Sequence, residues 1–374
     1  TFLTSVSHKR QGGAGGAPKP RSRGIVDFEF SSDQEMLRES VRRLLHDRAP
    51  ISYVREQYDE SAVGADAVWT GLADLGVIGL GLVDTAVVLE ELGAACCPVP
   101  FASSAVGAVA LADDELLISL VDGSCIGTVA FYDEGGRYDW RSPATRATPD
   151  GSAWTLDGVK VHVPDGAAAD VVVVTAIDSD GALGVFAAER PDSQPAKTVD
   201  GSRKEARVSL TGTPARRLHP GDATALVARA VDRLAVAYVV DGIGAAQHAL
   251  ELAVEYAKDR VQFDRPIGSF QAVQHLCADM LRTVELGRAA GYYACWAADD
   301  ADPAEAHRAA TMAKAFASEA YAQLGGTAIQ VFGGIGFTWE HDIHLYYKRL
   351  LTLSVALGNA DTHLAELAAI AIDG

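Results

Sequence analysis

The chain has 374 residues, 48% of them hydrophobic and 22% charged, an ordinary composition for a soluble globular protein with room for two or three packed layers. A formal net charge of −18 argues against a broad nucleic-acid footprint, and no apolar run reaches the ~18 residues that would suggest a membrane span. Five scattered cysteines form neither a zinc spacing nor a disulfide framework, so a reducing cytoplasm is the expected compartment.

Residues 1–24 carry GGAGGAPKPRSRG, no acidic residue and no signal-peptide core, a pattern that predicts a disordered leader. Helical signals begin at Ser32, where Ser32 and Glu35 read as a capping box ahead of Met36, Leu37, Val41, Leu44 and Leu45. Further helical runs are Val68–Leu75 ending in Gly76, Asp84–Leu92 closed by Gly93, Ala102–Leu111 and Glu115–Val121. Residues 25–122 therefore read as a helical N-terminal domain.

After about Gly123 the period changes to two. Thr128–Phe131, Ala153–Leu156, Val159–Val163, Val171–Thr175, Gly184–Ala187 and Arg207–Leu210 read as short strands, with Asp157-Gly158 as a hairpin signal. Residues 123–222 are expected to form a small antiparallel barrel or sandwich. Helices return near Ala223, and residues 223–374 read as a C-terminal helical bundle. The fold class is α+β, in the order helices, strands, helices.

Two stretches in the last third carry chemistry. Leu250–Lys258 is amphipathic, Pro266 forces a turn around Phe263–Gly268, and a new period starts with Phe270, Val273, Leu276, Cys277 and Met280. This corner groups Arg260, Gln262, Phe263 and Gln271. Arg presents a planar fork of donors suited to a pyrophosphate. Taken alone, an αα corner with Arg260 paired to a carboxylate is the simpler reading. The second stretch is Gln330–Phe337, QVFGGIGF, followed by TWEHDIHLYYKR.

Together the two stretches resemble the acyl-CoA dehydrogenase family, whose C-terminal domain carries R-x-x-F-x-x-x-I-x-x-F-Q and then Q-x-x-G-G-x-G-F. Both motifs stand here without gaps and in that order, and the resemblance spans most of the chain from Ile25 onward. It implies FAD as cofactor and an acyl-CoA thioester as substrate. It also implies a carboxylate base, a cradle for the flavin ring, and a site for the adenosine–pyrophosphate end shared between subunits.

The adenosine–pyrophosphate set is complete: Arg260, Gln262, Phe263, Gln271, Gln330, Gly333 and Gly334. The rest is not. The family base lies in Y-E-G-T, which aligns with Ala356-Leu357-Gly358-Asn359, so the base position is Leu357. Some relatives place the glutamate on an earlier helix, at a position matching Leu234. Asp232 and Asp241 are near in sequence, but Asp241 is displaced from Leu234 by ~10 Å along a helix. Both are expected to cap or face solvent. The T-E-P-x-A-G-S-D cradle aligns with Tyr132–Asp139, where Arg137 and Tyr138 are bulky, and the W-I-T element reads His162-Val163-Pro164. Proline offers neither an N–H nor a hydroxyl.

No catalytic residue is therefore assigned. The resemblance implies the base-less subunit of an α2β2 heterotetramer, of the kind actinobacteria use in steroid breakdown. Such a subunit would supply nucleotide-end contacts to a catalytic partner chain. Alternatives are a self-sufficient homotetramer with a non-standard base such as Asp241, and a binding protein that kept the fold. His341 and His344 with Asp342 invite a metal reading, but no third ligand is placed, so this segment is expected to start a helix. Arg282, Arg288 and Lys314 are expected to be solvated or to contact another subunit.

Overall fold

The computed structural model describes residues 30–64, 66–135 and 139–373; the expected leader lies outside the described residues. Helix α1 (Ser32–Arg48) is capped one residue earlier than predicted, by Ser31: its Oγ accepts from the Gln34 N–H at 3.2 Å, and the Gln34 side chain accepts from the Ser31 N–H at 3.0 Å. Both consecutive serines have a Glu or Gln three residues on, and the Ser31–Gln34 register is the one that forms. There follow α2 (Ile51–Tyr58), which the periodicity did not show, α3 (Ala67–Asp74), α4 (Leu82–Ala94), a seven-residue π-helix (Ala102–Ala108), a short 3₁₀ turn (Val109–Leu111) and α5 (Asp114–Val121). Gly93 does not close α4. It lies inside it, where an added Cβ would sit 2.0 Å from the Asp241 carbonyl oxygen.

The middle layer has eight strands: β1 (Gly127–Ala130), β2 (Tyr132–Asp133), β3 (Arg146–Asp150), β4 (Ala153–Pro164), β5 (Val171–Ile177), β6 (Leu183–Glu189), β7 (Asp192–Ala196) and β8 (Glu205–Arg217). Pairing runs β4–β3–β5–β6–β8, and β8 pairs back to β4, closing a ring. The sheet is mixed, not purely antiparallel, because β1 and β3 both run parallel to β5. Val171–Val174 is buried throughout, as a strand covered on both faces should be. The predicted hairpin at Asp157-Gly158 is absent. The two short strands are one, and the register against β8 slips between Leu156 and Gly158, so the glycine marks a bulge. Asp157 accepts from the Gly212 N–H of β8 at 2.8 Å instead of turning the chain.

The C-terminal layer is a bundle of α6 (Thr224–Asp259), α7 (Gln271–Asp300), α8 (Pro303–Phe332), α9 (Ile343–Val355) and α10 (Ala360–Asp373). Helix α6 is buried along most of its middle and packs against α4 through small residues. At Gly244 an added Cβ would meet the Glu90 carbonyl oxygen at 1.8 Å, the reciprocal of the Gly93 contact. Between α6 and α7 the chain makes a two-stranded hairpin, β9 (Val261–Gln262) with β10 (Arg265–Pro266), and a 3₁₀ turn. The expected helix-to-helix corner is thus present.

Candidate functional site

A cavity of about 690 Å³ lies between the β layer and the bundle. Its apolar wall includes Val129, Phe131, Trp140, Leu234, Ala235 and Leu357. Both positions at which the family resemblance places a carboxylate, Leu357 and Leu234, face this cavity as aliphatic side chains, and Pro164 lines it where a donor is expected. The cavity therefore holds the right positions and the wrong atoms for proton abstraction. Arg137 and Tyr138 lie outside the described residues.

The loop at the base position is tightly built. Leu357 has φ +59°, unusual for a bulky residue, and Gly358 has φ +102°. His363 Nε2–H donates to the Leu357 carbonyl at 3.0 Å. Lys314 Nζ donates to the Gly358 carbonyl at 3.1 Å and also to the Leu353 and Ser354 carbonyls and the Ser318 hydroxyl. Lys314 is therefore buried, not solvated as expected. Desolvation lowers its pKa to about 7.

Neither candidate aspartate is a free base, and neither sits on the surface. Asp241 is 1% exposed and is gripped by both edge nitrogens of Arg349, Nε at 2.7 Å and Nη2 at 2.8 Å, with Arg203 at 3.2 Å. Arg349 also donates to the Cys97 carbonyl and Ser202 Oγ. This is a structural ion cluster joining α6, α9, the segment after α4 and the loop that leads into β8. Asp232 lines the cavity but accepts from His307 at 2.9 Å. His307 Nε2 lies 3.4 Å from Glu366, which is bridged by Arg141 at 2.7 Å. Burial raises the Asp232 carboxyl, yet the two carboxylates keep the proton on His307. Its pKa rises to about 10 through its hydrogen bonds to Asp232 and Glu366, and that of Glu366 falls to about 2 through its bond to His307. Arg141, His307 and Glu366 come from segments 59 to 225 residues apart, so sequence pattern did not reveal them.

Behind the aligned cradle strand, Asp133 accepts from the Ala144 N–H at 2.8 Å and lies 3.3 Å from the buried Lys160. Desolvation lowers the Lys160 pKa to about 8 despite that partner. These residues stitch the strand end shut.

The residues expected at the nucleotide end gather elsewhere. Tyr256 of α6 stacks on Phe332 of α8 at 4.4 Å, which brings the corner and the glycine motif to one end of the bundle. Arg260, Gln262, Gln271 and Gln330 are exposed, and Arg260 makes no ion pair among the described residues. Phe263, at the hairpin tip with φ +52°, is 87% exposed. Gly333 ends α8 with φ +64°, and an added Cβ at Gly333 or Gly334 would meet nothing within 4 Å. The set thus offers open donors, an aromatic face and room for close backbone approach. Phe337 and Trp339, which follow the glycine motif in the chain, are also exposed.

His341 Nδ1 accepts from the Ile343 N–H at the start of α9, as a helix-starting segment should. Among the described residues no group of three or more His, Cys, Asp or Glu is placed to hold a metal. Arg288 is not a free surface charge; it donates to Glu90 at 3.1 Å.

Among known proteins, the acyl-CoA dehydrogenase C-terminal domain family model matches residues 224–372, and the N-terminal domain model matches residues 31–113. The chain is 35% identical over 335 residues to "Acyl-CoA dehydrogenase IpdE2" of Mycobacterium tuberculosis, covering 85% of this chain and 90% of that protein. The solved "Tcur3481-Tcur3483 steroid ACAD" is 30% identical, with a TM-score of 0.83 over 91% of this chain and 98% of that one. The ChsE4-ChsE5 complex from Mycobacterium tuberculosis is 25% identical, with a TM-score of 0.84 over 93% and 99% of the two chains. The paired motifs, the helix–strand–helix order and these matches agree: the chain belongs to the acyl-CoA dehydrogenase family.

Proposed function

We propose that this chain is a non-catalytic subunit of an FAD-dependent acyl-CoA dehydrogenase, working in an α2β2 heterotetramer in the cytoplasm. FAD, when bound, supplies the hydride acceptor for α,β-dehydrogenation of an acyl-CoA thioester. In this reading Arg260 and Gln330 hold the pyrophosphate, and Gln262 and Gln271 reach ribose or phosphate oxygens. Phe263 covers the base, and Gly333 and Gly334 admit the chain of the cofactor. The catalytic partner holds the flavin ring and contributes the carboxylate base.

The observation that carries this reading is the split itself. Arg260 is exposed and without an ion pair among the described residues, while Leu357, Leu234 and Pro164 occupy the reacting positions. The similarity to chains of a steroid acyl-CoA dehydrogenase and of the ChsE4-ChsE5 complex supports a partner chain and a bulky acyl group. A self-sufficient enzyme using Asp241 is disfavoured, because that carboxylate is committed to Arg349.

The chain purified alone is expected to be colourless and unable to oxidise acyl-CoA. Co-expressed with its catalytic partner, it should yield a yellow complex that reduces an electron acceptor. A yellow, active preparation of this chain alone would refute the reading.

A further inference from the structure

A second cavity, of about 330 Å³, lies on the far side of α6 from the one beside Leu357. At ~100° per residue, Leu226, Arg229, Ala230 and Arg233 share one face of the helix, and Val231, Leu234, Ala235 and Tyr238 share the opposite one. The first group lines the smaller cavity and the second lines the larger, so α6 is the wall between them. The other walls of the smaller cavity come from the segment entering α4, the π-helix with its 3₁₀ turn, and the junction of α7 with α8. They present Leu80, Leu82, Val106, Val109, Ala298 and Ala306, an apolar surface.

Four side chains of the lining are polar: Thr85, Arg229, Asp232 and Arg233. Thr85 donates its hydroxyl to the Leu80 carbonyl at 3.3 Å, and Asp232 is held by His307 at 2.9 Å. Arg233 spends Nη1 on Asp299 at 3.0 Å and on the Ala298 carbonyl at 3.1 Å. Its Nε and Nη2 make no hydrogen bond among the described residues, and neither is an enclosed atom, the side chain being 27% exposed. The second oxygen of Asp299 accepts from the Val83 N–H at 3.2 Å, so that carboxylate is spent. Arg229, one turn before Arg233, is exposed and has neither an ion pair nor a hydrogen bond among the described residues. Asp232 and Asp299 are matched by His307 and Arg233, which leaves the Arg229 charge uncompensated by them. Side chains four apart on a helix are neighbours, ~5–6 Å between Cβ atoms, so one carboxylate can accept from both guanidiniums. Open cationic donors beside an apolar cavity stand out in a chain of net charge −18.

We propose that this second cavity binds a small apolar carboxylate. Its hydrocarbon body lies against Leu80, Val106, Val109 and Ala306, and its carboxylate accepts from Arg229 and the open edge of Arg233. Apolar walls with a few convergent polar groups are the usual make-up of a small-ligand site. The site is separate from the flavin-dependent reaction, and the titration below reads it whether or not flavin is bound.

The test uses the full-length chain and a matched pair of probes, cyclohexylacetate and cyclohexylacetamide, at pH ~7.5, where the acid is ionised. Affinities are measured by ligand-observed saturation-transfer NMR titration. The carboxylate should bind about fivefold more tightly than the amide at ~20 mM salt, and the ratio should fall below about twofold at ~0.5 M salt. Arg229→Met, which keeps the length of the side chain and removes its charge, should bring the two probes within about twofold at low salt. Arg229→Lys should keep part of the preference. Ala306→Trp, which fills the cavity from α8, should abolish binding of both probes. Because Arg229 is exposed, its variants are expected to fold whether or not the tryptophan is tolerated. Equal affinity for the two probes in the unaltered chain overturns the proposal. So does a carboxylate preference undiminished in Arg229→Met, or undiminished binding to a folded Ala306→Trp variant.

Discussion

Asp241→Asn separates a structural role for this carboxylate from a catalytic one. The side chain is nearly isosteric, so packing against Gly93 and α4 is retained. The change removes one negative charge between two guanidiniums. Arg349 is 1% exposed, and Arg203 is also largely buried with its guanidinium over the Tyr238 ring at 4.7 Å. Breaking a buried ion pair by deleting one partner leaves an uncompensated charge and costs ~3–5 kcal/mol. At ~2–4 °C per kcal/mol, the apparent melting temperature should fall on the order of 10 °C. The assay is thermal unfolding followed by calorimetry and far-ultraviolet dichroism at one scan rate and concentration. Arg349→Met in the Asp241→Asn background should recover part of the loss, because it removes the stranded charge. A variant melting within about 2 °C of the parent would refute the argument, since the cluster would then not be bearing charge in the folded state.

Four further outcomes follow from the geometry. Arg260→Met should leave thermal stability within ~0.5 kcal/mol, because the side chain is exposed and unpaired among the described residues. In the complex it should weaken flavin retention ~10–100-fold, read from the visible spectrum after dialysis. Gly244→Ala should cost more than ~3 kcal/mol or abolish soluble expression, because its Cβ would meet the Glu90 carbonyl at 1.8 Å with helix backbone on both sides. For His307 the folded pKa, about 10, lies above the unfolded value near ~6.5. Its stabilisation is therefore full below pH ~6.5 and is lost as pH rises through about 10, so the stability gap between the parent and His307→Gln should shrink over that window in denaturant titrations. Leu357→Glu alone should not give acyl-CoA oxidation in a coupled dye assay, because Pro164 still offers no donor on the other side of the cavity.

Much of this molecule is legible in its amino acids because the informative signals are local. The change from period 3.6 to period two and back marks the layers, Pro266 marks the turn between α6 and α7, and Gly333 ends α8. Identity at single positions was enough to show that Leu357, Leu234 and Pro164 carry no acid or donor, whatever the fold around them. Local reading failed where two local answers compete. Asp157-Gly158 satisfies a hairpin pattern and a bulge equally well, and pairing with β8 chose the bulge. Gly93 satisfies a helix stop and a close helix crossing, and α6 chose the crossing.

Charge placement was decided only in three dimensions. Nothing local distinguishes Lys314 or Asp241 from surface charges on alanine-rich helices, because their burial depends on carbonyls and guanidiniums brought from α9 and the β layer. The same holds for Arg141, His307 and Glu366. A chain's residue types determine which reactions its atoms can perform. Which of those atoms face a cavity, a counter-charge or solvent is set by contacts between residues far apart in the chain, and no periodicity encodes those contacts.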